Sequence, residues 1–236
     1  VVCRAKNGDC DVEDKCDGTN NACPTDVVAT QGTAGSPTCS PYVCNGNNAA
    51  CPTACATTPD CAAGFICSAL LCVQEHIAFV SSTTSTGLLT DAATQDARCT
   101  TLANAAGFTT GTFKAWLSDD THTPAADTDF TGHTAAWFRV DGTKVADNWA
   151  DLSDGSLDAL ITVDETGATQ ATQLVFTGTL FDGTLGAANC NNWDDALVTS
   201  FAVTGDTSNA TANAWTDDGV NSTCDGLRRI YCFQVN

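Results

Sequence analysis

The cysteines are the residues whose type and spacing point most directly to chemistry. Of the fifteen, eleven lie within the first 72 residues, and the other four are Cys99, Cys190, Cys224 and Cys232. Cysteines at such density in a short segment are typical of a disulfide framework, which persists in oxidising compartments outside the cytosol. The sequence therefore predicts a secreted or cell-surface protein whose first part is held together by disulfides.

Residue types that carry catalysis or bind zinc are few and poorly spaced. The three histidines, His76, His122 and His133, form no pair at helical spacing, and a zinc site needs about three or four ligands in a tetrahedral array. Asp164 and Glu165 are adjacent, so on a strand their side chains point apart rather than toward one substrate atom. No serine-hydrolase, metalloprotease or phosphate-binding motif occurs in the sequence. We therefore expect no catalytic residues and predict that the protein is not an enzyme.

The net charge of −19, from 28 acidic and 9 basic residues, argues against one class of partner. A surface this acidic, with no basic stripe, repels the phosphate backbone of DNA or RNA, so no nucleic-acid partner is expected. An acidic surface also favours the binding of divalent cations. The alternative interpretation is a solvated acidic surface that binds no ion. No apolar run is long enough to span a membrane and no signal peptide is recognisable, so we expect Val1 to be a processed start.

Composition divides the chain into a cysteine-rich module, residues 1–74, and a larger domain, residues 75–236. All five tryptophans and most phenylalanines follow His76, so only the second part has the material for a hydrophobic core. The module contains an internal repeat, because CDGTNNACPT at 16–25 and CNGNNAACPT at 44–53 both fit Cys-x-Gly-x4-Cys-Pro-Thr. Gly, Asn and Pro favour the tight turns that position cysteines for bridging.

The eleven cysteines of the module cannot all pair with one another, because their number is odd. At least one must pair outside the module, remain a free thiol, or bond to a partner upstream of Val1. We therefore expect either an upstream repeat or an intermolecular bridge.

Residues 3–26, CRAKNGDCDVEDKCDGTNNACPTD, resemble the loop region of disintegrin-like modules. The matching positions are Cys3-Arg4, Cys10-Asp11, Glu13, Cys16-Asp17-Gly18, Cys23-Pro24 and Asp26. The resemblance implies an integrin-contacting hairpin between the first cysteines, with Gly8-Asp9-Cys10 near its tip. No Arg-Gly-Asp is present, and a rigid spacer is the interpretation that we prefer for this module.

Residues 75–236 show the pattern of a loop-rich α+β domain. Short β-rich segments predict a first strand at 77–82 and further strands at 112–118, 137–140, 174–179 and 229–234. Thr90 is expected to cap a helix over 91–106 that ends at Gly107. The predicted inner face of this helix consists of Gln95, Cys99, Leu102 and Ala106. The first and last strands of the domain are expected to pair.

The cysteines and motifs of this domain resemble the C-type lectin-like fold, in particular its endostatin-like members. The residues that carry the resemblance are, in chain order, Asp96-Ala-Arg-Cys99, Ala105-Ala-Gly-Phe108, 111–118, 140–145 with Trp149, Thr177-Gly178, Asp182-Gly183, Cys190-Asn-Asn-Trp193 and 230–233. Bacterial secreted and surface lectin-like domains, often attached to cysteine-rich repeats, show the same combination. The resemblance implies that the helix cysteine bridges the last strand and that the middle two bridge each other. The implied disulfides are Cys99–Cys232 and Cys190–Cys224.

The same resemblance points to a ligand site near the end of the chain. Sugar-binding C-type lectins hold calcium through a Glu-Pro-Asn type triplet and a Trp-Asn-Asp triplet, and this chain offers Trp215-Thr-Asp217-Asp218 at the second place, with Asn221 nearby. Calcium takes about six to eight oxygen ligands, of which Asp217, Asp218 and Asn221 supply some. The first triplet is absent, so a purely structural loop is the alternative interpretation.

Two functions are consistent with these features. The first is a non-enzymatic binding or adhesion module, a lectin-like head on a disulfide-rich stalk that contacts a glycan or a protein through loops between Asp119 and Asn221. The second is a structural subunit of an extracellular assembly or filament, joined to copies of itself or to neighbouring subunits through the cysteine-rich arm. We expect the binding module.

Overall fold

The computed structural model divides the chain into two units, Val1–Glu75 and His76–Asn236, called the N-terminal unit and the C-terminal unit below. It describes residues 1–20, 22–62, 65–68, 70–74, 76–170, 173–209 and 213–235. The division falls next to the boundary that composition predicts after residue 74. Both helices and strands are present, so the chain is of the α+β class.

The N-terminal unit contains little regular structure. Strands β1 (Val2–Arg4) and β2 (Asp14–Lys15) pair antiparallel, as do β3 (Phe65–Ser68) and β4 (Leu71–Gln74). One turn of 3-10 helix spans Thr58–Asp60. Disulfides hold the turns between these elements together, and the pairs are Cys10–Cys44, Cys39–Cys51, Cys55–Cys67 and Cys61–Cys72. The disulfide-rich character that the cysteine density predicts is therefore confirmed.

Sulfur atoms provide most of the buried apolar material of this unit. In one cluster of buried cysteines, the sulfur atoms of Cys10 and Cys39 lie 3.4 Å apart, which brings two disulfides into contact. The second cluster consists of Cys55, Cys61 and Cys72, packed against Tyr42, Phe65 and Cys67. Contacts between disulfides thus replace a hydrophobic core, which a segment with so few large apolar residues cannot build.

The segment that the disintegrin-like resemblance places at a loop tip is partly buried against the second repeat. The Cys10 amide donates to the Ala49 carbonyl at 2.8 Å, and Cys10 is fully buried. A side chain at Gly8 would meet the same carbonyl oxygen at 2.3 Å, so Gly8 lies directly against the second repeat. Gly8-Asp9-Cys10 is therefore not a displayed tip, because the Cys10–Cys44 disulfide ties it to that repeat.

The C-terminal unit is built on a five-stranded sheet and a three-stranded sheet. Its strands are β5 (His76–Val80), β6 (Phe113–Ala115), β7 (Trp137–Phe138), β8 (Lys144–Ala146), β9 (Leu174–Phe176), β10 (Phe201–Asp206), β11 (Asn221–Thr223) and β12 (Tyr231–Gln234). The larger sheet has the order β6-β12-β5-β7-β8, and the smaller has the order β11-β10-β9. Strands β5 and β12 pair antiparallel, with Cys232 opposite Phe79. The predicted pairing of the first and last strands is confirmed.

Strand β5 is buried on both faces, because each face of the larger sheet supports its own core. Ile77 and Phe79 pack in a cluster with Phe113 and with the helix residue Cys99. The alternate residues of the strand, at positions 78 and 80, belong to a second cluster. The aromatic members of that cluster include Trp116, Phe130, Trp137, Trp215, Tyr231 and Phe233. The alternation along β5 therefore separates two cores rather than core from solvent.

Helix α1 (Ala92–Ala105) begins one residue later than predicted. Oδ1 of Asp91 accepts a hydrogen bond from the Thr94 amide at 2.5 Å and caps the helix, whereas Thr90 lies outside it with φ of 77°. The prediction of Thr90 as the cap is wrong, because the Asp91 carboxylate is the group within reach of the free amides of the first turn. The predicted end at Gly107 is confirmed, with φ of 99°.

The buried face of α1 differs from the predicted one at its C-terminal end. Its buried residues are Ala92, Gln95, Cys99 and Ala103. Leu102 and Ala106 are only partly buried, although Leu102 still packs against the core. The helix packs mainly against β6, and position 103, four residues after Cys99, lies on this inner face, whereas position 102 lies at its edge.

The other helical segments are single turns. Helices α2 (Thr128–Thr131) and α3 (Trp149–Leu152) are capped by the side chains of Asp127 and Asn148, and a 3-10 turn spans Pro124–Ala126. The Asp127 carboxylate therefore has a structural role as a helix cap. Among the residues that the structure describes, no helix has the length and apolar character needed to cross a membrane.

Two disulfides cross-link the C-terminal unit. Cys99–Cys232 joins α1 to β12 and Cys190–Cys224 joins two loops, with Cα atoms 5.5 and 5.7 Å apart. These are the pairs that the lectin-like resemblance implies. Residues 190–193 form a left-handed turn with φ between 52° and 63°, a conformation that costs about 1–2 kcal/mol per residue. The disulfide at Cys190 and the complete burial of Trp193, whose Nε1 donates to the Ser118 carbonyl at 2.9 Å, offset that cost.

Candidate ligand-binding site

Trp215, which the lectin-like resemblance places in the ligand site, belongs to the core. Its side chain is 1% exposed, and its ring lies 5.0 Å from the ring of Trp116 and 5.9 Å from that of Tyr231. Trp215 was named among the candidate site residues, and its burial places its side chain in the core rather than on a surface that a ligand can reach. The residue instead anchors the chain segment that leads to Asp217 and Asp218.

Strand β10 fixes that segment in place. The Asp218 amide donates to the Thr204 carbonyl at 2.9 Å. The next residue of the strand, Gly205, packs so closely that a Cβ atom there would lie 1.9 Å from the Trp215 carbonyl oxygen. Only glycine fits at this position, so Asp217 and Asp218 are held at a defined place beside the sheet.

Asp217 and Asp218 each use one carboxylate oxygen within their own turn. Oδ1 of Asp217 accepts from the Gly219 amide at 3.0 Å, and Oδ1 of Asp218 accepts from the Val220 amide at 2.9 Å. Burial raises the pKa of Asp218, and the nearby negative charges of Asp217 and Asp206 raise it further. The turn therefore concentrates negative charge, which favours a cation or a hydrogen-bond donor as its neighbour.

Exposed apolar side chains occur at both ends of the ribbon formed by β10, β11 and the segment before β10, and Val220 is the one that follows this turn. The exposed fractions are 59% for Leu197, 63% for Val198, 47% for Phe201 and 67% for Val220. The register pairs Phe201 with Thr223 and Val203 with Asn221, so the exposed Asn221 and the residue before it lie at the other end of the ribbon from Phe201. We define the ribbon patch as Leu197, Val198, Phe201, Asp217, Asp218, Val220 and Asn221.

The apolar part of the ribbon patch was not among the predicted site residues. Strand β10 begins with the exposed Phe201 and continues with buried residues at positions 202 to 205. This pattern resembles an ordinary buried strand, and only the exposed fractions separate Phe201 from the core. Leu197, Val198 and Phe201 are exposed within five residues of one another, and large exposed apolar side chains that lie close together are typical of an interaction site.

Three groups of metal-donor side chains occur among the described residues, each with its donor atoms within 4.8 Å of one another. Two of them are cysteine clusters that are already bonded in disulfides. The third is Asp147, Asp151 and Asp158, and Lys144 binds two of these carboxylates, at 2.5 Å for Asp147 and 2.7 Å for Asp158. The lysine thus supplies positive charge to this cluster.

Asp217 and Asp218 are in none of these groups. Asn221, the third predicted oxygen donor, is exposed at the start of β11. Since calcium takes about six to eight oxygens, an ion at this turn would draw most of its ligands from the backbone, water or the bound molecule. The hydrogen bonds from Gly219 and Val220 shape the turn without an ion.

Two of the three histidines meet, although they are 57 positions apart in the sequence. The rings of His76 and His133 lie 4.4 Å apart, and His133 stacks on Trp137 at 4.0 Å. Burial lowers the pKa of His76 to about 4, with a further contribution from His133, whose own pKa burial also lowers. Both rings are therefore neutral at pH 7 and belong to the core, whereas His122 is exposed.

A small depression beside α1 contains a perturbed carboxyl group. Burial raises the pKa of Asp96 to about 6, although a hydrogen bond from the Ala115 amide at 2.8 Å acts in the opposite direction. His122 and Asp127 line the same depression. It has room for at most about one water molecule, so it is too small to hold a substrate.

The adjacent acidic pair of the sequence holds a loop against β5. Oδ1 of Asp164 accepts from the amides of Thr166 and Ala168, at 2.9 and 3.1 Å. Glu165 accepts from the Ser82 amide at 2.9 Å. Both side chains are buried, and these bonds use their carboxylates for structure.

A scan against protein-family models finds no match, and a search of curated proteins finds none either. What characterises the C-terminal unit is therefore its own geometry. It is an α+β unit whose first and last strands pair, with two disulfides and an exposed ribbon patch beside an acidic turn.

Proposed function

We propose that the protein is a secreted or cell-surface, non-enzymatic binding module. In this proposal the C-terminal unit is a C-type lectin-like domain of the endostatin-like type, and it contacts an extracellular glycan or protein through the ribbon patch. Its support is the pairing of the terminal strands and the two disulfides, Cys99–Cys232 and Cys190–Cys224, that the resemblance implies. The N-terminal unit acts as a disulfide-stapled carrier of this domain.

The ribbon patch is the observation on which the binding function depends. Phe201 offers an exposed aromatic ring, and such a ring packs well against the apolar face of a sugar or against an apolar side chain of a partner. Asp217, Asp218 and Asn221 lie on the same ribbon and offer oxygen atoms to hydroxyl or amide donors. An apolar surface with a few polar groups at its edge is the usual composition of a recognition site.

The proposed location outside the cell follows from the cysteines. Twelve of the fifteen are paired in six disulfides. Disulfides in such number are typical of extracellular proteins, because the cytosol keeps thiols reduced. The net charge of −19 also favours a glycan or protein partner over a nucleic acid.

A glycan array probed with the purified chain, with and without millimolar calcium, tests the proposal. We expect the wild type to bind a subset of glycans and Phe201→Ala to lower that binding by about tenfold, a loss of ~1.4 kcal/mol. Val27→Ala, which truncates an exposed apolar side chain of the N-terminal unit, is the matched control and should bind like the wild type.

The double variant Asp217→Asn, Asp218→Asn separates the two interpretations of the acidic turn. If calcium binds at this turn, the variant loses the calcium-dependent part of glycan binding. If the turn is structural, binding is the same with and without calcium in both proteins. Wild-type binding that Phe201→Ala leaves unchanged would exclude the ribbon patch, and no binding in either condition would exclude a glycan ligand.

A further inference from the structure

Two disulfides of the N-terminal unit touch each other, and only one of their four cysteines is open to solution. The Sγ atoms of Cys10 and Cys39 lie 3.4 Å apart, which places the Cys39–Cys51 disulfide against the Cys10–Cys44 disulfide. Cys51 is partly exposed, whereas the other three cysteines of this pair of disulfides are buried. A molecule from solution therefore reaches the pair at Cys51.

An open depression lies at Cys51. It has a volume of about 570 Å³ and is lined by residues 45 and 48–54. Sites for small molecules have volumes of about 300–1,000 Å³, so a small thiol fits in this depression. Cys51 thus has the access that thiol–disulfide exchange requires.

The charge beside Cys51 favours one direction of exchange and one class of thiol. Oδ2 of Asp9 lies 3.5 Å from the Sγ atom of Cys51. A carboxylate at this distance disfavours a thiolate on Cys51, so attack at Cys51 with release of Cys39 is favoured over the reverse. The same carboxylate, in a chain with a net charge of −19, attracts a cationic thiol and repels an anionic one.

A Cys39 sulfur released in this way stays beside its next target. The Cys39 amide donates to the Ala34 carbonyl at 2.7 Å, so its backbone is held without the disulfide. In the intact unit the sulfur atoms of Cys10, Cys39 and Cys44 all lie within 4.8 Å of one another. An in-line attack on Cys10 would place the outer two sulfurs more than about 5 Å apart. Attack therefore requires that the disulfide of Cys39 opens first, which frees its side chain to rotate into line.

We propose that Cys51 is an exchange site for small cationic thiols and that Cys39 relays the exchange to the Cys10–Cys44 disulfide. The external thiolate attacks the Cys51 sulfur, forms a mixed disulfide there and releases the Cys39 thiolate. The Cys39 thiolate then attacks Cys10, forms a Cys10–Cys39 disulfide and releases the Cys44 thiolate. The proton lost by the external thiol passes through solvent to Cys44. The external thiol is thus oxidised to a mixed disulfide and Cys44 is reduced. This activity is independent of the ribbon patch.

A short incubation of the purified chain with cysteamine, a cationic thiol, tests the proposal. The three unpaired cysteines are first alkylated with iodoacetamide, and they are Cys3, Cys16 and Cys23. N-ethylmaleimide then marks the thiols that cysteamine releases, and tandem mass spectrometry of peptic fragments locates each change.

The expected product has three features. It carries cysteamine on Cys51, a new Cys10–Cys39 disulfide, and N-ethylmaleimide on Cys44. At equal thiolate concentration and low salt, exchange with the anionic thiol 3-mercaptopropionate should be about fivefold slower than with cysteamine.

Two variants separate the relay from direct attack on the buried disulfide. The double variant Cys39→Ser, Cys51→Ser lacks the relay, so its Cys10–Cys44 disulfide should survive cysteamine roughly tenfold longer than that of the wild type. Asp9→Asn should weaken the preference for cysteamine over 3-mercaptopropionate and leave the relay intact. The Cys55–Cys67 and Cys61–Cys72 peptides show whether each variant has folded.

The proposal is wrong if cysteamine first modifies a cysteine other than Cys51, or if it modifies Cys51 and leaves Cys39 free beside an intact Cys10–Cys44 disulfide. It is also wrong if that disulfide opens equally fast in the wild type and in a folded double variant, because the buried bond would then be attacked directly. Equal rates with the two thiols would overturn the selection of cationic thiols by Asp9.

Discussion

The two units of this chain use the same covalent bond for different purposes. In the N-terminal unit the disulfides are themselves the core, because the buried clusters consist largely of cysteines. In the C-terminal unit four fully buried tryptophans and several phenylalanines fill two cores, and two disulfides are added to them. One unit therefore depends on its bonds for its fold, whereas the other also has apolar burial. Treatments that attack bonds and treatments that attack packing should separate the two.

Of the four treatments, reduction under native conditions should produce the largest difference in stability between the two units. Dithiothreitol is expected to unfold the N-terminal unit first, because its loops of 11 to 34 residues lose about 3–4 kcal/mol of chain-entropy stabilisation each when the bridges open. The sulfurs of the C-terminal unit are fully buried. Hydrogen exchange in residues 1–74 should accelerate while the near-ultraviolet circular dichroism of the five tryptophans, all in the C-terminal unit, stays unchanged. Simultaneous loss of both signals would contradict the contrast.

Replacement of Gly205 by alanine should strongly destabilise only the C-terminal unit. The added Cβ would lie 1.9 Å from the Trp215 carbonyl oxygen, and the forced shift of backbone should cost about 3 kcal/mol in the free energy of unfolding. Gly142→Ala is the control, since its Cβ meets open space and only the positive φ of 83° matters, at about 1 kcal/mol. Urea denaturation followed by tryptophan fluorescence measures both. Equal losses would mean that Gly205 does not fix the acidic turn.

Acidification should destabilise the C-terminal unit through its buried histidine pair. The folded-state pKa of His76 is about 4, below the value near 6.5 of an unfolded chain, so the unfolded state gains protons first as the pH falls. Stability should therefore decrease between pH 6.5 and 4, by about 2 kcal/mol. His76→Gln should flatten that decrease, whereas His122→Gln, at an exposed position, should not. Denaturation curves at pH 7 and 4.5 compare the three proteins.

Asp96 should act in the opposite direction over nearly the same range. Its folded-state pKa of about 6 lies above its ordinary value, so its burial lowers stability increasingly as the pH rises from 4 to 6. Asp96→Asn keeps an oxygen for the Ala115 amide and should stabilise the C-terminal unit by about 1 kcal/mol at pH 8 and not at pH 4. Asp91→Asn, which preserves the helix cap, is the control. A stabilisation that is independent of pH would contradict the role of charge.

Local signals predicted much of the C-terminal unit. The helix was predicted from its apolar spacing and from Gly107, and strands β5 and β12 were predicted from short apolar segments. Strands β10 and β11 were not predicted. The five residues after Phe201 are mostly buried without a clear alternation, and the three residues of β11 are polar. Pairing partners that lie far along the chain, rather than local pattern, make these segments strands.

The candidate site was predicted in part, for a similar reason. Asp217, Asp218 and Asn221 were named from the sequence, and the structure places them in the turn before β11 and at the start of that strand, while their role as a ligand site stays a prediction. Trp215 was assigned to the same site, but the contacts of its ring with Trp116 and Tyr231 bury it. A tryptophan in a sequence indicates neither burial nor exposure, because its large ring serves equally in cores and at interfaces.

The sequence by itself determined the two-part organisation and the disulfide-rich character of this protein, because cysteine density and the placement of tryptophans are properties of composition. It also determined that at least one cysteine cannot pair within these residues, since their number is odd. Only the tertiary structure decided which cysteines remain unpaired, that His76 meets His133, and that Phe201 is exposed while Trp215 is buried. Each of these depends on residues distant in the chain being brought together, and the free energy of such contacts is not encoded in any single segment.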